Sequence, residues 1–253
     1  FLGRHIFMKK NYCITLQYDG TRYNGWQKQG NTQSTIQGKL EHILSKLCGI
    51  PVEVHGSGRT DAGVHAAGQT ANFRIDTDLS PDGILQYLND YLPRDIAAVS
   101  ITEADPRFHS RLWAKSKTYQ YRILTGNIPC VFEYNYLYHH PAPLSVEHMQ
   151  EAASFFLGTH DFRSFCDNKR MKKSTVRTIY QLDIVKKNQE ITITITGSGF
   201  LYHMVRLMVG FLLQVGEGGR QPSEAPKILL AKDRSSTGPL APAKGLTLLR
   251  VQY

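Results

Sequence analysis

Cysteine is scarce in this sequence. The four cysteines are far apart and form no C-x-x-C pair, the spacing that zinc ribbons and thiol oxidoreductases use. We therefore expect reduced thiols, as in a cytoplasmic protein, and neither a disulfide framework nor a zinc site.

Long apolar segments and export signals are also lacking. The longest apolar run, Phe200 to Val215, contains His203 and Arg206 and is shorter than the ~20 apolar residues of a membrane-spanning helix. No basic-then-apolar signal segment opens the chain. Residues 1–7 precede Met8, which looks like a natural start, and we interpret them as a tag or upstream remnant. We expect a cytoplasmic protein with no membrane partner.

Common cofactor and metal motifs are absent as well. The sequence has neither the G-x-x-x-x-G-K-[ST] of a phosphate-binding loop nor the G-x-G-x-x-G of a dinucleotide fold. Its histidines, among them His139 and His140, form no H-E-x-x-H spacing. A metal-dependent RNA hydrolase is therefore a weak hypothesis.

Acidic residues are outnumbered by basic ones. Lys and Arg total 30 against 21 Asp and Glu, which gives a net charge of +9. Such a surplus favours a polyanionic partner, because each phosphate neutralised by Lys or Arg releases a condensed counterion. Charge alone leaves RNA, DNA and anionic lipid open.

The chain predicts an α+β fold built from two halves. Residues 8–105 show the order β-α-β-β-α-β of a ferredoxin-like domain, and residues 106–253 show the same order again. A capping-box pattern at Ser34 to Gln37 begins the first helix, and ITITIT alternates as a half-buried antiparallel strand should. The predicted strands are 12–18, 52–55, 69–74, 96–101, 117–124, 178–186, 190–196 and 246–251, and the predicted helices are 36–47, 80–91, 145–157, 200–215 and 223–230.

A glycine-rich loop, Gly56 to Gly63, is the first candidate site. Three glycines in eight residues let the backbone turn sharply and let another chain approach closely. A tight turn formed by Asp61, with Arg59 in solvent, explains the pattern equally simply. Spacing alone leaves both interpretations open.

Arg206 is the second candidate, because it is the one formally charged residue in an otherwise apolar predicted helix. His203, Arg206 and Gly210 would share one helix face. Arg206 could extend to solvent at the helix edge, or it could enter a cleft and pair with a carboxylate such as Asp61. Burial raises a carboxyl pKa by up to about 3–5 units, and a guanidinium opposes that shift, so the two charges would stabilise each other.

Two basic segments could contact RNA. Basic and aromatic residues alternate from Lys115 to Arg122, a mixture that suits phosphate contact and base stacking. Lys169 to Lys173 carries four cations. An amphipathic strand and a solvated loop, respectively, explain them as well.

Together these segments resemble the tRNA pseudouridine synthase A (TruA) family over nearly the whole chain. GRTDAG is the most specific of the shared motifs. They are YDGTRYNGWQKQ (18–29), GSGRTDAGVHAAGQ (56–69), FHSRLWAKSKTYQYRI (108–123), STVRTI (174–179), GSGFLYHMVRLMVG (197–210) and DRSSTGPLAPAKGL (233–246).

The resemblance implies two ferredoxin-like halves with a joined, mainly antiparallel sheet, helices on one side and a basic cleft between the halves. It implies a homodimer, no metal or organic cofactor, and isomerisation of uridines 38, 39 and 40 in the tRNA anticodon stem-loop. By motif position, Asp61 matches the essential aspartate, Arg59 an arginine that helps hold the flipped nucleotide, Tyr119 a tyrosine packing on the target base, and Arg206 the arginine paired with the aspartate. Thr247 and Trp113 depart from the family pattern, away from these four positions.

A non-catalytic RNA-binding protein with two RRM-like halves is the main rival hypothesis. It would explain the charge and the aromatic residues. The sequence contains no RNP1-like run, however, and a carboxylate in an RNA cleft would hinder binding.

Overall fold

The computed structural model describes residues 9–253, which divide into two compact units. The first comprises residues 9–114 and the C-terminal Tyr253, and the second comprises Lys115–Gln252. The interpretation of residues 1–7 as a remnant lies outside the described residues. Both units combine helices and strands, so the predicted α+β class is confirmed.

The first unit has the predicted β-α-β-β-α-β order. Its elements are β1 (Lys10–Tyr18), α1 (Ile36–Cys48), β2 (Val54–Gly56), β3 (His65–Ile75), α2 (Pro81–Tyr91) and β4 (Ile96–Glu103). The sheet order is β4-β1-β3-β2, and every neighbouring pair is antiparallel. Ile14, Leu16 and Phe73 from the strands and Leu40 and Leu88 from the helices are fully buried. Removing this apolar surface from water stabilises the unit.

The start of α1 differs in detail from the capping-box prediction. Thr35 is the N-cap, and its hydroxyl accepts a hydrogen bond from the Gly38 amide. The Gln37 side chain, which the pattern assigned to the box, donates instead to Glu41 and to the carbonyl of Val54. The box does not form because Thr35 rather than Ser34 is the N-cap, and because the Gln37 side-chain oxygen accepts from the Lys28 amide.

The second unit repeats the order of the first and adds three short elements. Its sheet order is β10-β5-β9-β8-β7, with antiparallel neighbours, and β6 lies parallel to β5. Of the added elements, the sequence pattern predicted α5 but neither β6 nor β7. The elements are β5 (Ser116–Thr125), β6 (Tyr138–His140), α3 (Val146–Ser154), β7 (Gly158–Asp161), β8 (Val176–Lys187), β9 (Glu190–Gly197), α4 (Met204–Gly216), α5 (Glu224–Ala231) and β10 (Leu246–Gln252).

The ITITIT alternation is confirmed in β9. Its three isoleucines are fully buried, and the threonines between them are half-buried. The preceding turn contains Asn188 at φ 57°, a left-handed conformation that asparagine tolerates better than most residues. The predicted β8–β9 hairpin around Asn188 is therefore present.

Helix α4 begins later than predicted. The apolar run suggested a start at Phe200, but the helix starts at Met204 because His203 adopts φ 63° and ψ 3°. A left-handed residue cannot continue a right-handed helix. His203 is thus the N-cap of α4, and the prediction that it shares a helical face with Arg206 is wrong.

The contact boundary between the units lies between Ala114 and Lys115, whereas the sequence pattern placed it near Asp105. The Asn11 side chain in β1 donates to the carbonyls of Asp105 and Phe108, each at 2.9 Å. The Ser110 amide donates to the side chain of Asn72 in β3. These bonds tie the segment after Asp105 to the first unit.

Candidate functional site

The loop between β2 and β3, residues 57–64, contains Arg59 and Asp61. Its first residue, Ser57, forms hydrogen bonds with β3 through both its backbone and its side chain. The Ser57 amide donates to the carbonyl of Thr70 at 2.7 Å, and the Ser57 hydroxyl donates to the buried Gln69 side chain at 2.7 Å. The Gln69 amide group donates in turn to the carbonyl of Gly58. Gln69 therefore acts as a brace inside the loop.

The centre of the loop is held by residues from the N-terminal segment. The Tyr18 and Thr60 hydroxyls are 2.8 Å apart, and the Trp26 amide donates to the carbonyl of Thr60 at 3.0 Å. Burial raises the pKa of Tyr18 to about 12, although hydrogen bonds with Thr60 and Gln69 act to lower it. The hydroxyl is therefore neutral at physiological pH and remains available as a hydrogen-bond donor.

Two glycines allow these segments to come this close. Gly25 has φ 90°, and a Cβ there would lie 2.6 Å from the carbonyl oxygen of Thr60. A Cβ on Gly56 would lie 2.4 Å from the ring of Trp26. Since real Cβ atoms do not approach other atoms so closely, side chains at either position would displace the loop.

Asp61 begins a tight turn, as one of the two interpretations predicted, but the turn uses its backbone. The Val64 amide donates to the carbonyl of Asp61 at 3.1 Å, and Gly63 has φ 77° between them. The Asp61 side chain is half-buried and that of Arg59 is exposed. The turn interpretation and a chemical role for the carboxylate are therefore compatible.

Tyr119 lies in the middle of β5, in the second unit. It pairs with Leu248 of β10 on one side and with Ile195 of β9 on the other. Its ring is buried and meets the Phe200 ring edge-on, with centroids 5.1 Å apart and an interplanar angle of 86°. The strand pairing on both sides fixes the backbone of Tyr119, and the edge-on contact with Phe200 orients its ring.

Arg206 lies in the first turn of α4 and is half-buried. Its Nε donates to the carbonyl of Ala241 at 2.8 Å, and the Ala241 amide donates back to the carbonyl of Arg206 at 3.2 Å. One turn further, a Cβ on Gly210 would lie 2.0 Å from the carbonyl oxygen of Pro239. Residues 239–241 thus lie directly along α4 and orient the guanidinium, so Arg206 does not simply extend along the helix edge.

A charged cluster at the start of α4 was missed by sequence reasoning. Asp167 accepts hydrogen bonds from Nδ1 of His203 and from Nε of Arg234, both at 2.6 Å. The three residues are far apart in sequence and lie in loops or at a helix end, so no periodicity brings them together. The short spacing from His203 to Arg206 is the one sequence feature that could have connected this cluster with a candidate site residue.

Within the part of the chain that the structure describes, there is neither a candidate metal site nor a membrane-spanning helix. Residues 9–253 contain no group of three or more His, Cys, Asp or Glu side chains placed to hold a metal ion. None of the described helices has the length and apolar character needed to span a bilayer.

Comparisons with known proteins agree with the motifs. A family model described as tRNA pseudouridine synthase matches residues 14–111 and 152–253. The tRNA pseudouridine synthase A of Bacillus sp. (strain KSM-64) is 44% identical over 243 residues, covering 96% of this chain and 99% of that protein. The protein of the same description from Clostridium acetobutylicum is 43% identical over 244 residues, covering 96% of this chain and 100% of that protein.

A solved structure of a Cbf5–Nop10–Gar1 complex matches with a TM-score of 0.40 and 12% identity, covering 84% of this chain and 46% of that chain. The similarity to the curated proteins spans both units and includes the loop with Asp61. The chain belongs to the tRNA pseudouridine synthase A family and is an isomerase that acts on tRNA.

Proposed function

We propose that this protein converts uridines 38, 39 and 40 of the tRNA anticodon stem-loop to pseudouridine, with Asp61 as the catalytic carboxylate. Family membership makes it a tRNA isomerase and removes the rival hypothesis of a non-catalytic RNA-binding protein. The observation that carries the assignment of Asp61 is its position in the 57–64 loop. Gln69 and Tyr18 brace that loop from within the fold, so the carboxylate is held on a fixed backbone.

The reaction defines what this carboxylate must do. The bond from N1 of uracil to C1′ of ribose breaks, the uracil turns, and a bond from C5 to C1′ forms. The proton on C5 leaves and N1 gains one, so the mass does not change. A stacked base cannot turn, and the nucleotide must first be extruded at a cost of a few kcal/mol. An ionised aspartate can act as a nucleophile or as a base in this series of steps.

The other three predicted residues receive roles that suit their surroundings. We propose that Arg59, which is exposed on the loop, occupies the space vacated by the flipped nucleotide or binds phosphate. Tyr119 would pack against the uracil, because its ring is held in one orientation by Phe200. Arg206 would pair with the Asp61 carboxylate and keep it ionised. This pairing stays a prediction.

Replacement of Asp61 by Asn tests the catalytic assignment. Tritium release from tRNA labelled at C5 of uridine follows the isomerisation directly. We expect Asp61→Asn to abolish release while tRNA affinity stays within a few-fold, because the amide keeps the shape but loses the charge. Asp90→Asn, at an exposed acid in the last turn of α2, is the matched control and should be fully active. Normal release by Asp61→Asn would refute the assignment.

Sequencing of modified positions tests the proposed target sites. Purified protein is incubated with unmodified tRNAs that carry uridine at 38, 39 or 40, and pseudouridine is then mapped along each tRNA. Modification confined to these three positions is expected. Modification only at other positions would leave the isomerase class intact and overturn the proposed sites.

We further propose a cytoplasmic homodimer. The support in the structure is a segment of strongly exposed apolar side chains, with Ile128 and Val131 at 79% and Phe132 at 98% exposure, since such surfaces often mark protein contacts. Light scattering should give twice the 28.6 kDa of one chain, and Phe132→Asp should shift the mass toward one chain. A single-chain mass for the unmodified protein would contradict the proposal.

A further inference from the structure

Asp167 connects two segments of the second unit that both lie next to Arg206. One of its oxygens accepts from Nδ1 of His203, the residue directly before α4, and the other accepts from Nε of Arg234. Both donor–acceptor distances are 2.6 Å, as in charge-assisted hydrogen bonds. One carboxylate therefore holds the start of α4 and the loop after α5 together.

The His203 end of this connection fixes where α4 begins. His203 has φ 63°, a conformation that is unfavourable for a residue with a Cβ and persists only when its surroundings enforce it. Its ring is held by Asp167 and stacks on the Tyr202 ring with centroids 3.7 Å apart. These contacts hold the left-handed turn, and Arg206 follows three residues later.

The Arg234 end fixes the segment that orients the Arg206 guanidinium. A terminal nitrogen of Arg234 donates to the Thr237 hydroxyl at 2.9 Å and to the carbonyl of Gly238 at 3.0 Å. The chain then continues along α4 to Ala241, whose carbonyl accepts from Nε of Arg206. The contacts of Asp167 with His203 and with Arg234 therefore both help to position the Arg206 side chain.

We propose that Asp167 is a positioning residue for the isomerisation, which sets the placement of Arg206 through His203 and Arg234. The inference rests on the proposed role of Arg206. In the proposed role, Asp167 itself touches neither the substrate nor the reacting atoms.

The charge state of Asp167 supports this role. Burial acts to raise its pKa, but the hydrogen bonds from His203 and Arg234 outweigh burial, and the pKa lies below its ordinary value. The carboxylate is therefore ionised at neutral pH and accepts both hydrogen bonds. An asparagine has one acceptor oxygen, and its amide group would face a second donor.

Asp167→Asn is the test, and Asp161→Asn is its matched control. Asp161 is also partly buried in the second unit, accepts a hydrogen bond from the Thr175 hydroxyl, and pairs with Lys232 at 3.2 Å. We expect Asp167→Asn to lower kcat by about tenfold or more with KM changed by less than about threefold, since small displacements of an active-site group are costly. Asp161→Asn should keep its kcat, even where it lowers the melting temperature equally.

Combination with Arg206→Gln distinguishes positioning from general stability. If Asp167 acts through Arg206, the double variant will have nearly the same kcat as Arg206→Gln alone, because coupled residues are not additive. Independent, multiplicative losses would overturn the inference, and so would a normal kcat for Asp167→Asn beside an impaired Arg206→Gln. Full activity of Arg206→Gln would instead refute the proposed role of Arg206. Should Asp167→Asn fail to fold, Arg234→Lys carries the same expectations.

Discussion

The hydroxyl of Tyr18 and the hydroxyl of Thr60 lie 2.8 Å apart and form a buried hydrogen bond within the first unit. Tyr18 is the last residue of β1, and Thr60 directly precedes Asp61. The Gln69 amide group also approaches the Tyr18 oxygen, at 3.5 Å. The end of a core strand is thereby connected to the backbone that carries the proposed catalytic carboxylate.

Tyr18→Phe should loosen that backbone while leaving the core packed. Loss of the hydroxyl leaves buried polar groups of Thr60 and Gln69 with a missing partner, which costs about 1–3 kcal/mol. We expect a corresponding decrease in the free energy of unfolding and a kcat lower by about tenfold. Tyr12→Phe, on the same strand with its ring stacked on Phe73, is the control and should keep its kcat. Equal kcat values for the two variants would contradict the bracing role.

The same hydroxyl predicts a pH dependence of stability. Burial raises the pKa of Tyr18 from 10.0 to about 12. Because the folded pKa is the higher one, the stability contributed by the protonated hydroxyl is complete below pH 10 and is lost as the pH rises through 12. Urea unfolding should therefore show the wild type losing roughly 1.4 kcal/mol more than Tyr18→Phe between pH 8 and pH 11. Parallel losses in both proteins would refute the assignment.

Gly25→Ala should damage the loop from its other side. The residue has φ 90°, and its Cβ would meet the Thr60 carbonyl at 2.6 Å. Both the left-handed conformation and the contact oppose a side chain, so we expect a loss of more than about 1 kcal/mol of unfolding free energy together with reduced tritium release. Gly30→Ala is the control, since no atom lies within 4 Å of the Cβ that it would add. Two equally stable variants would contradict this reading of Gly25.

Much of the fold was predictable because it follows from local patterns. The alternation in β9 predicts which side chains are buried, and Asn188 marks the turn before it. The burial pattern of β9 and the turn at Asn188 both depend on residues that are close together in the sequence. The start of α4 was not predictable in this way, because His203 is held in its left-handed conformation by Asp167, which lies far away in the sequence.

The candidate site likewise contains some residues that a local motif reveals and others that it does not. Asp61 and the glycines of the 56–63 loop lie in one short motif, and the family resemblance gives Asp61 its proposed role. The bracing residues Tyr18 and Gln69 lie in ordinary strands, and nothing in their local pattern indicates that their side chains meet in the loop. Their contact depends on how β1 pairs with β3, where Leu16 lies opposite Gln69 and the register shifts before Tyr18, and the local pattern of one strand does not specify its partner or such a shift.

Gly210→Ala should disturb Arg206 through the segment that lies on α4. A Cβ would lie 2.0 Å from the Pro239 carbonyl oxygen, so residues 239–241 must move away from the helix. Alanine favours a helix by about 1 kcal/mol over glycine, yet we expect lower thermal stability and a lower kcat because the displaced carbonyl of Ala241 no longer orients Arg206. Gly199→Ala, with no atom nearer than 3.7 Å, should be close to neutral. A gain in stability with full activity for Gly210→Ala would contradict this view.

The basic loop at 168–173 should contribute to tRNA binding by electrostatics. Arg163 donates to the backbone carbonyls of Asn168 and Lys169, which anchors the start of the loop, and Lys172 and Lys173 are exposed beyond it. Each cation that meets a phosphate adds about 0.9 to the slope of log K against log salt. Filter binding of tRNA over a range of salt should therefore give a steep slope for the wild type, reduced by up to about 2 in the Lys172→Gln, Lys173→Gln double variant.

A second pair of lysines separates this local effect from net charge. Lys186 and Lys187 are also exposed, at the end of β8, and replacing both with Gln removes the same total charge. If the loop contacts RNA directly, the β8 pair will change the slope far less than the loop pair, because direct phosphate contacts release counterions whereas distant charges are screened within about 10 Å at 0.1 M salt. Equal slopes for the two double variants would show that the loop acts only through net charge. A flat affinity for the wild type across the salt range would contradict an electrostatic tRNA interface altogether.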